Sequence, residues 1–123
     1  MMSPEKEKAL EDKYLFFRPV WGVECGDGWF GIIDELCAKL SRMDLSGARI
    51  EFIKEKFGGM RVGLSHVGGK NYGDALSIIE YAYDRSMETC EECGRPGILR
   101  DIKGWFKTLC DGCFAKTLSR SNE

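Results

Sequence analysis

TCEECGRPGILRDIKGWFKTLCDGC, residues 89–113, holds two Cys-x-x-Cys pairs, Cys90/Cys93 and Cys110/Cys113, with sixteen residues between them. Each pair folds as a tight knuckle that aims both sulfurs at one point. Two knuckles together enclose a tetrahedral thiolate cage suited to zinc. Four sulfurs fill every position around such an ion, so the expected cofactor is one Zn2+ with a structural role. Iron ligation, a redox dithiol and disulfides are the other chemistries open to this spacing. Gly94 eases the chain out of the first knuckle, while Gly97 and Gly104 suit strands and a bend between the pairs. Phe114–Leu118 reads as a short closing helix, giving a treble-clef or zinc-ribbon-like module over residues 90–120. Four thiolates around a divalent ion leave negative charge, which Arg95, Arg100, Lys103 and Lys107 are expected to soften. Trp105 and Phe106 are expected to pack beneath the knuckles.

Upstream, residues 1–89 read as an α+β body, helices packed on a small antiparallel β-hairpin. Asp74 caps a helix running to about Glu88, with Leu76, Ile79, Tyr83 and Met87 on its predicted buried stripe. Before it, RIEFIKEKFGGMRVGLSHV (49–67) alternates as a hairpin does, and Gly58-Gly59 supply the positive φ angles of a two-residue type I′ turn. That turn pairs Phe57 with Met60, Lys56 with Arg61, Glu55 with Val62 and Ile53 with Leu64, and sets Glu51 opposite His66. One face then carries Ile53, Phe57, Met60, Val62 and Leu64, interrupted by Glu55; the other gathers Lys54, Lys56 and Arg61. A helix over 50–57 competes, because Ile50, Ile53 and Phe57 also fit a helical stripe. Gly68–Gly73 reads as a loop. Asp27 to about Met43 is a second helix, with Phe30, Ile33, Leu36, Cys37 and Leu40 inward. Ser3-Pro4 starts a first helix, Leu10, Tyr14 and Phe17 form its stripe, and Arg18-Pro19 ends it.

The chain has 123 residues, 43% of them apolar, which suits one compact unit. Eighteen basic and twenty acidic residues leave a net charge of −2, too little for wholesale electrostatic capture of nucleic acid. MMSPEKEKALEDKY has no apolar core of a secretory signal, and no apolar run reaches the roughly 20 residues of a membrane helix. A reducing, cytoplasmic setting and no membrane partner are expected, in keeping with cysteines that hold metal.

ECGDGW, residues 24–29, precedes the second helix and admits several readings. Cys25 near a helix N-terminus invites a lowered thiol pKa, and His66 would be the base of a thiol enzyme. No third orienting group accompanies them, and the simpler reading of Cys25 is a small residue in a turn. The N–H groups of Gly26 and Gly28 suit an anion, yet Glu24 and Asp27 would repel one, and Asp27 most simply caps its own helix. The carboxylates better suit a donor-rich partner, with Trp21 and Trp29 as stacking surfaces. Lys54, Lys56 and Arg61 are the better anion candidates, since Lys56 opposite Arg61 is a like-charge pair that costs stability without a compensating group.

Three blocks, Trp21-Gly-x-Glu24-Cys25-Gly-Asp27-Gly-Trp29, Lys54-Glu-Lys-Phe57-Gly-Gly-Met-Arg61 and the cysteine-rich tail, together resemble a family of small, uncharacterised phage- and prophage-encoded proteins. The resemblance covers about residues 19–115. It implies zinc and the cytoplasm of a bacterial host. By analogy of setting alone, it also suggests inhibition of a host process such as antiviral defence. The expected function is therefore a non-enzymatic, zinc-containing binding protein that meets a host protein. Nucleic-acid binding through the basic hairpin face and the ribbon is the alternative. Capture of a small nucleotide between ECGDGW and the hairpin is a further one. The residues expected to meet a partner or ligand are Trp21, Glu24, Asp27, Trp29, Lys54, Lys56 and Arg61.

Overall fold

The structure is a computed structural model that describes residues 1–45, 47–65 and 71–121. His66 and residues 68–70 of the loop expected at 68–73 lie outside the described residues, while residues 71–73 belong to a helix that begins before Asp74, so Asp74 lies inside its first turn and does not cap it. Helix α1 (Pro4–Lys13) is followed by a short strand β1 (Val23–Glu24), one 3-10 turn (Asp27–Trp29) and α2 (Phe30–Leu40). A hairpin of β2 (Arg49–Lys56) and β3 (Gly59–Ser65) leads to α3 (Asn71–Ser86). A second hairpin, β4 (Ile98–Ile102) and β5 (Trp105–Leu109), and α4 (Asp111–Ser121) complete the chain. The class is α+β, as expected. No helix among the described residues is long and apolar enough to cross a membrane.

The first sheet is mixed, because β1 joins β2 in parallel while β2 and β3 are antiparallel. α2 forms the crossover between β1 and β2, and α3 packs against both α2 and β3. The core between them includes Phe17, Trp29, Ile33, Leu36, Ile50 and Ile53. Val23 and Ile53, paired across β1 and β2, are both buried, so this face of the sheet looks inward.

The hairpin exists, and the helical reading of 50–57 falls with it. Its register differs from expectation. The two loop residues are Phe57 and Gly58, with φ of 54° and 84°, and the closing pair is Lys56/Gly59. Lys54, not Lys56, therefore opposes Arg61, and Glu55 opposes Met60. The shift moves Phe57 off the core face to the tip, where it is 64% exposed. Gly59 gains its place in β3 from the close approach of α3. A Cβ there would stand 3.1 Å from Tyr83 Cδ2 and 3.2 Å from Met87 Sδ. Glu55, the polar interruption of the inward face, accepts the Gly58 N–H at 2.7 Å and so braces the turn. An irregularity between Ile50 and Phe52 sends both Ile50 and Ile53 inward. That three-residue spacing is what imitated a helix.

The helices depart from their expected limits: α2 is shorter than the expected 27–43, its first residues forming the 3-10 turn, and α4 is longer than the expected 114–118. α3 and α1 depart further. α3 buries Ala75, Ala82 and Ser86, while Leu76 is exposed and Ile79, Tyr83 and Met87 are only half-buried. Small residues face inward because the helix lies close to its neighbours. Ser86 Oγ, for instance, accepts the Met60 N–H at 3.0 Å. α1 stops at Lys13, well short of Arg18-Pro19, yet Leu10, Tyr14 and Phe17 are all buried. Phe17 achieves this from an extended segment bridged to Ile50.

Tyr14 ties α1 to α2, donating its hydroxyl to Asp34 Oδ1 at 2.7 Å. That bond, helped by Lys13, holds the Asp34 carboxyl below its ordinary 3.8. A carboxyl whose pKa falls on folding adds stability above its unfolded pKa and loses it as pH drops through the folded one. Asp34→Asn should therefore cost about 0.5–1 kcal/mol at neutral pH, a figure discounted for the water that reaches the site. The deficit should shrink toward zero in acid. Urea midpoints followed against pH test this, and a deficit that persists unchanged in acid would contradict it.

Candidate metal centre and its seat

The cysteine pairs come together through the second hairpin. β4 and β5 pair from Ile98/Leu109 to Ile102/Trp105 and reverse at Lys103-Gly104, so the two ends return side by side. In the first knuckle Cys90 donates its N–H to the Arg95 carbonyl at 2.7 Å, and Gly94 closes the turn onto the Cys90 carbonyl at 2.9 Å. The second knuckle opens α4, with Cys110 just before the helix and Cys113 in its first turn. The four Sγ atoms lie within 4.8 Å of one another, and Cys93 Sγ is 3.6 Å from Cys110 Sγ. Tetrahedral bonds of about 2.3 Å would set sulfurs about 3.8 Å apart, so the four are placed to hold one metal ion.

The surroundings favour thiolate at one ligand at least. Cys113 donates its N–H to Cys110 Sγ at 3.4 Å, and this bond, with further help from the neighbouring thiols, draws the Cys110 thiol down to about 6. Of the expected cations, Arg100 lies closest to the second knuckle. It bonds the Leu109 carbonyl at 3.1 Å and Asp111 at 2.7 Å, and its guanidinium lies over the Phe114 ring. Lys107 instead turns toward Glu91, with Nζ 3.6 Å from Oε1. Trp105 does not lie beneath the knuckles, being 56% exposed, and Phe106 is half-buried. Ile102 and Leu109 fill that space with Phe114 against them.

The first knuckle is also where the module meets the body, and ECGDGW is its seat. Gly26 donates its N–H to Glu91 Oε2 at 2.9 Å, and Gly28 donates to the Glu91 carbonyl at 2.7 Å. Trp29 Nε1 donates to the Thr89 carbonyl at 2.9 Å. These contacts need bare backbone. A Cβ on Gly26 would stand 2.5 Å from the Glu91 carbonyl oxygen, and one on Gly28 would meet the Cys90 carbonyl oxygen and stand 2.6 Å from that of Glu91. One of the two glycine N–H groups, that of Gly26, does receive a carboxylate, but it is the chain's own Glu91, and the other, that of Gly28, is taken by the Glu91 main-chain carbonyl. That carboxyl is only 4% exposed; burial raises its pKa, while Lys107 and the Gly26 N–H act the other way. Across the seam, Thr108 donates its hydroxyl to the Gly58 carbonyl at 2.7 Å, so the tip of the first hairpin rests on the second.

The expected binding residues divide accordingly. Trp29 is fully buried and offers no stacking surface. Asp27 does not cap its helix through its side chain; its Oδ1 accepts the Ser3 N–H at 2.7 Å and anchors the start of α1. Cys25 is buried, and burial, then the Glu91 carboxylate, push its thiol pKa well up rather than down. Cys37 lies in the core of α2, its thiol pushed up to about 12 by burial. The first knuckle packs directly on Gly26 and Gly28, so the N–H groups of ECGDGW are already bonded within the chain. Glu24, Lys54 and Arg61 do come together, as directly paired neighbours across β1, β2 and β3 on the outer face, with Lys56 beside them. Trp21 is exposed in the turn before β1. Glu91, Thr108 and Phe52 were missed by sequence reasoning. Glu91 in particular gives no signal, because an acidic residue inside a Cys-x-x-Cys pair is ordinarily solvated.

Gly28→Ala should destabilise the protein by about 3 kcal/mol, at the upper end for overpacking, because the obstacles are backbone atoms. Gly31→Ala, on α2 with open space around its Cβ, should be neutral or stabilising by up to about 1 kcal/mol. Denaturant midpoints of the two variants check the seat, and equal effects would sink it. Comparison of the chain with known protein families, with curated proteins and with solved structures finds no match.

Proposed function

We propose that this chain is a non-enzymatic binding protein whose C-terminal module is ordered by one structural zinc ion. The observation that carries the reading is the four-cysteine set, closed across a knuckle and a helix start, whose first knuckle is seated on ECGDGW of the body. Four thiolates suit zinc and leave it no position for a substrate. The order of knuckle, hairpin, knuckle and helix is that of a treble clef, and Cys90, Cys93, Cys110 and Cys113 would be the ligands. Binding free energy of about 10–16 kcal/mol is available to order a segment whose own buried core is small. The buried, raised-pKa Cys25 supports a structural role over a nucleophilic one.

The partner surface is the outer face of the first sheet, where Lys54, Lys56 and Arg61 stand exposed. The phage-type setting implied by the three sequence blocks makes a macromolecule of the bacterial cytoplasm the partner. Obstruction of a host defence component is the role to test first.

The purified protein should carry one zinc per chain by elemental analysis. Cys93→Ser or a chelator should release the zinc and raise hydrogen exchange across residues 90–118 and at ECGDGW. A fully reduced protein that is folded without metal would end the zinc reading. Immobilised protein should also retain a macromolecule from bacterial lysate that the Lys54→Glu/Arg61→Glu variant does not. Retention of nothing, or equal retention by both, would end the binding reading of this face.

A further inference from the structure

We propose that the outer face of the β1–β3 sheet binds single-stranded nucleic acid, with Lys54, Lys56 and Arg61 on phosphates and Phe52 and Phe57 beneath bases. The proposal rests on the reading of this face as the partner surface and names the class of partner.

The first observation is that three cations crowd one face where Glu24, the cross-strand neighbour of Lys54, is the single carboxylate in their row. Lys54 and Arg61 are direct cross-strand neighbours, a like-charge arrangement that destabilises a sheet. Among the described residues, neither they nor Lys56 form an ion pair. Lys54 and Lys56 project on one side about 6.7 Å apart, as two residues of strand require. Their ammonium groups rest instead over aromatic rings, Lys54 at 5.0 Å from the Phe52 centroid and Lys56 at 5.6 Å from that of Phe57. Arg61 lies 5.0 Å over the Tyr83 ring. Cations held on ring faces are free to swing to phosphates when bases take the rings.

The second observation is how the two rings are presented. Phe52 lies across Gly63, its cross-strand partner; a Cβ on Gly63 would fall within 2.6 Å of Phe52 Cζ. The absence of a side chain at Gly63 lets the ring lie down on the sheet with one face outward. Phe57 sits at φ 54°, a left-handed conformation that disfavours a bulky side chain, and its exposure means that packing does not compensate the strain. Asn, Asp or Gly would serve the turn better. A strained aromatic held in solvent beside a lysine is explained by a ligand with a flat apolar face.

Bases paired in a duplex present only their edges, so the rings select single strands. An acidic peptide would satisfy the cations but gives the ring faces nothing to stack on. Glu24, the one carboxylate in the same cross-strand row, lies at the far end from Arg61 and bounds the site.

The zinc-loaded protein should bind short oligo-dT and oligo-dA strands with similar affinity in fluorescence anisotropy. The slope of log K against log salt should be about −2 for three phosphate contacts on a single strand. Lys54→Glu with Arg61→Glu should abolish binding. Phe52→Ala and Phe57→Asn should each weaken it about tenfold, the loss of one stacked base. Phe57→Asn separates the two roles of that residue, because Asn relieves the turn and thermal stability should hold or rise. Absent binding at low salt, or affinity unmoved by the charge reversals or by Phe57→Asn, would overturn the proposal. A lysate partner that is lost on charge reversal, with no oligonucleotide binding, would overturn nucleic acid and leave the face a protein interface. Loss of both would take the partner-surface reading as well.

Discussion

Two glycine N–H groups of a loop near residue 27 bond the main chain and the carboxyl of Glu91, inside the first Cys-x-x-Cys knuckle. This contact joins the main hydrophobic core to a second cluster built on Cys90, Ile102 and Leu109, which is too small to order its segment by burial alone. The backbones approach so closely that side chains are excluded at Gly26 and Gly28. Trp29 lies behind them, fully buried, and spends its one polar atom on the Thr89 carbonyl. The loop, the tryptophan and the knuckle therefore act as one unit. Whatever orders the four sulfurs also orders the seat of the body.

Electrostatics at this seam are arranged to keep outside anions away. Backbone N–H groups at a helix start ordinarily attract phosphate or carboxylate from solution. Here the carboxylate is internal, almost wholly buried, and steadied by Lys107 from β5. A buried carboxyl with one satisfied oxygen is a costly feature that only a closely fitted backbone sustains. Burial and the Glu91 carboxylate act on the Cys25 thiol in the same direction, both raising its pKa.

The sheet's other side has the opposite character. Its inner face is filled by α2 and α3, while the outer face keeps three cations and two aromatic rings in solvent without ion-pair partners among the described residues. The hairpin tip serves both sides. Gly58 rests against the second hairpin through Thr108, and Phe57, its neighbour in the same turn, points into water. A turn anchored on the second hairpin is thus the element that presents the exposed ring.

Much of this was legible in local sequence, because the forces concerned act over a few residues. Cys-x-x-Cys spacing brings two sulfurs together within one local turn. Strand alternation assigned Lys54, Lys56 and Arg61 to one face, and that held even though the register was misjudged, since a slip of one residue in the turn shifts both strands and preserves sidedness. Local propensity favours a turn at Gly58-Gly59, yet the turn forms at Phe57-Gly58. The choice was made by Tyr83 packing over Gly59 and by Thr108 reaching Gly58, contacts from distant parts of the chain. The same holds for α3, which turned its small residues inward because its neighbours leave little room. It holds above all for ECGDGW and Glu91, sixty-five residues apart, whose pairing depends on a fit that composition and periodicity do not encode. Periodicity determined which side of α2 and of the first hairpin faces the core, because burial there follows the local repeat; close packing between remote segments decided the inward side of α3 and what meets at the seam.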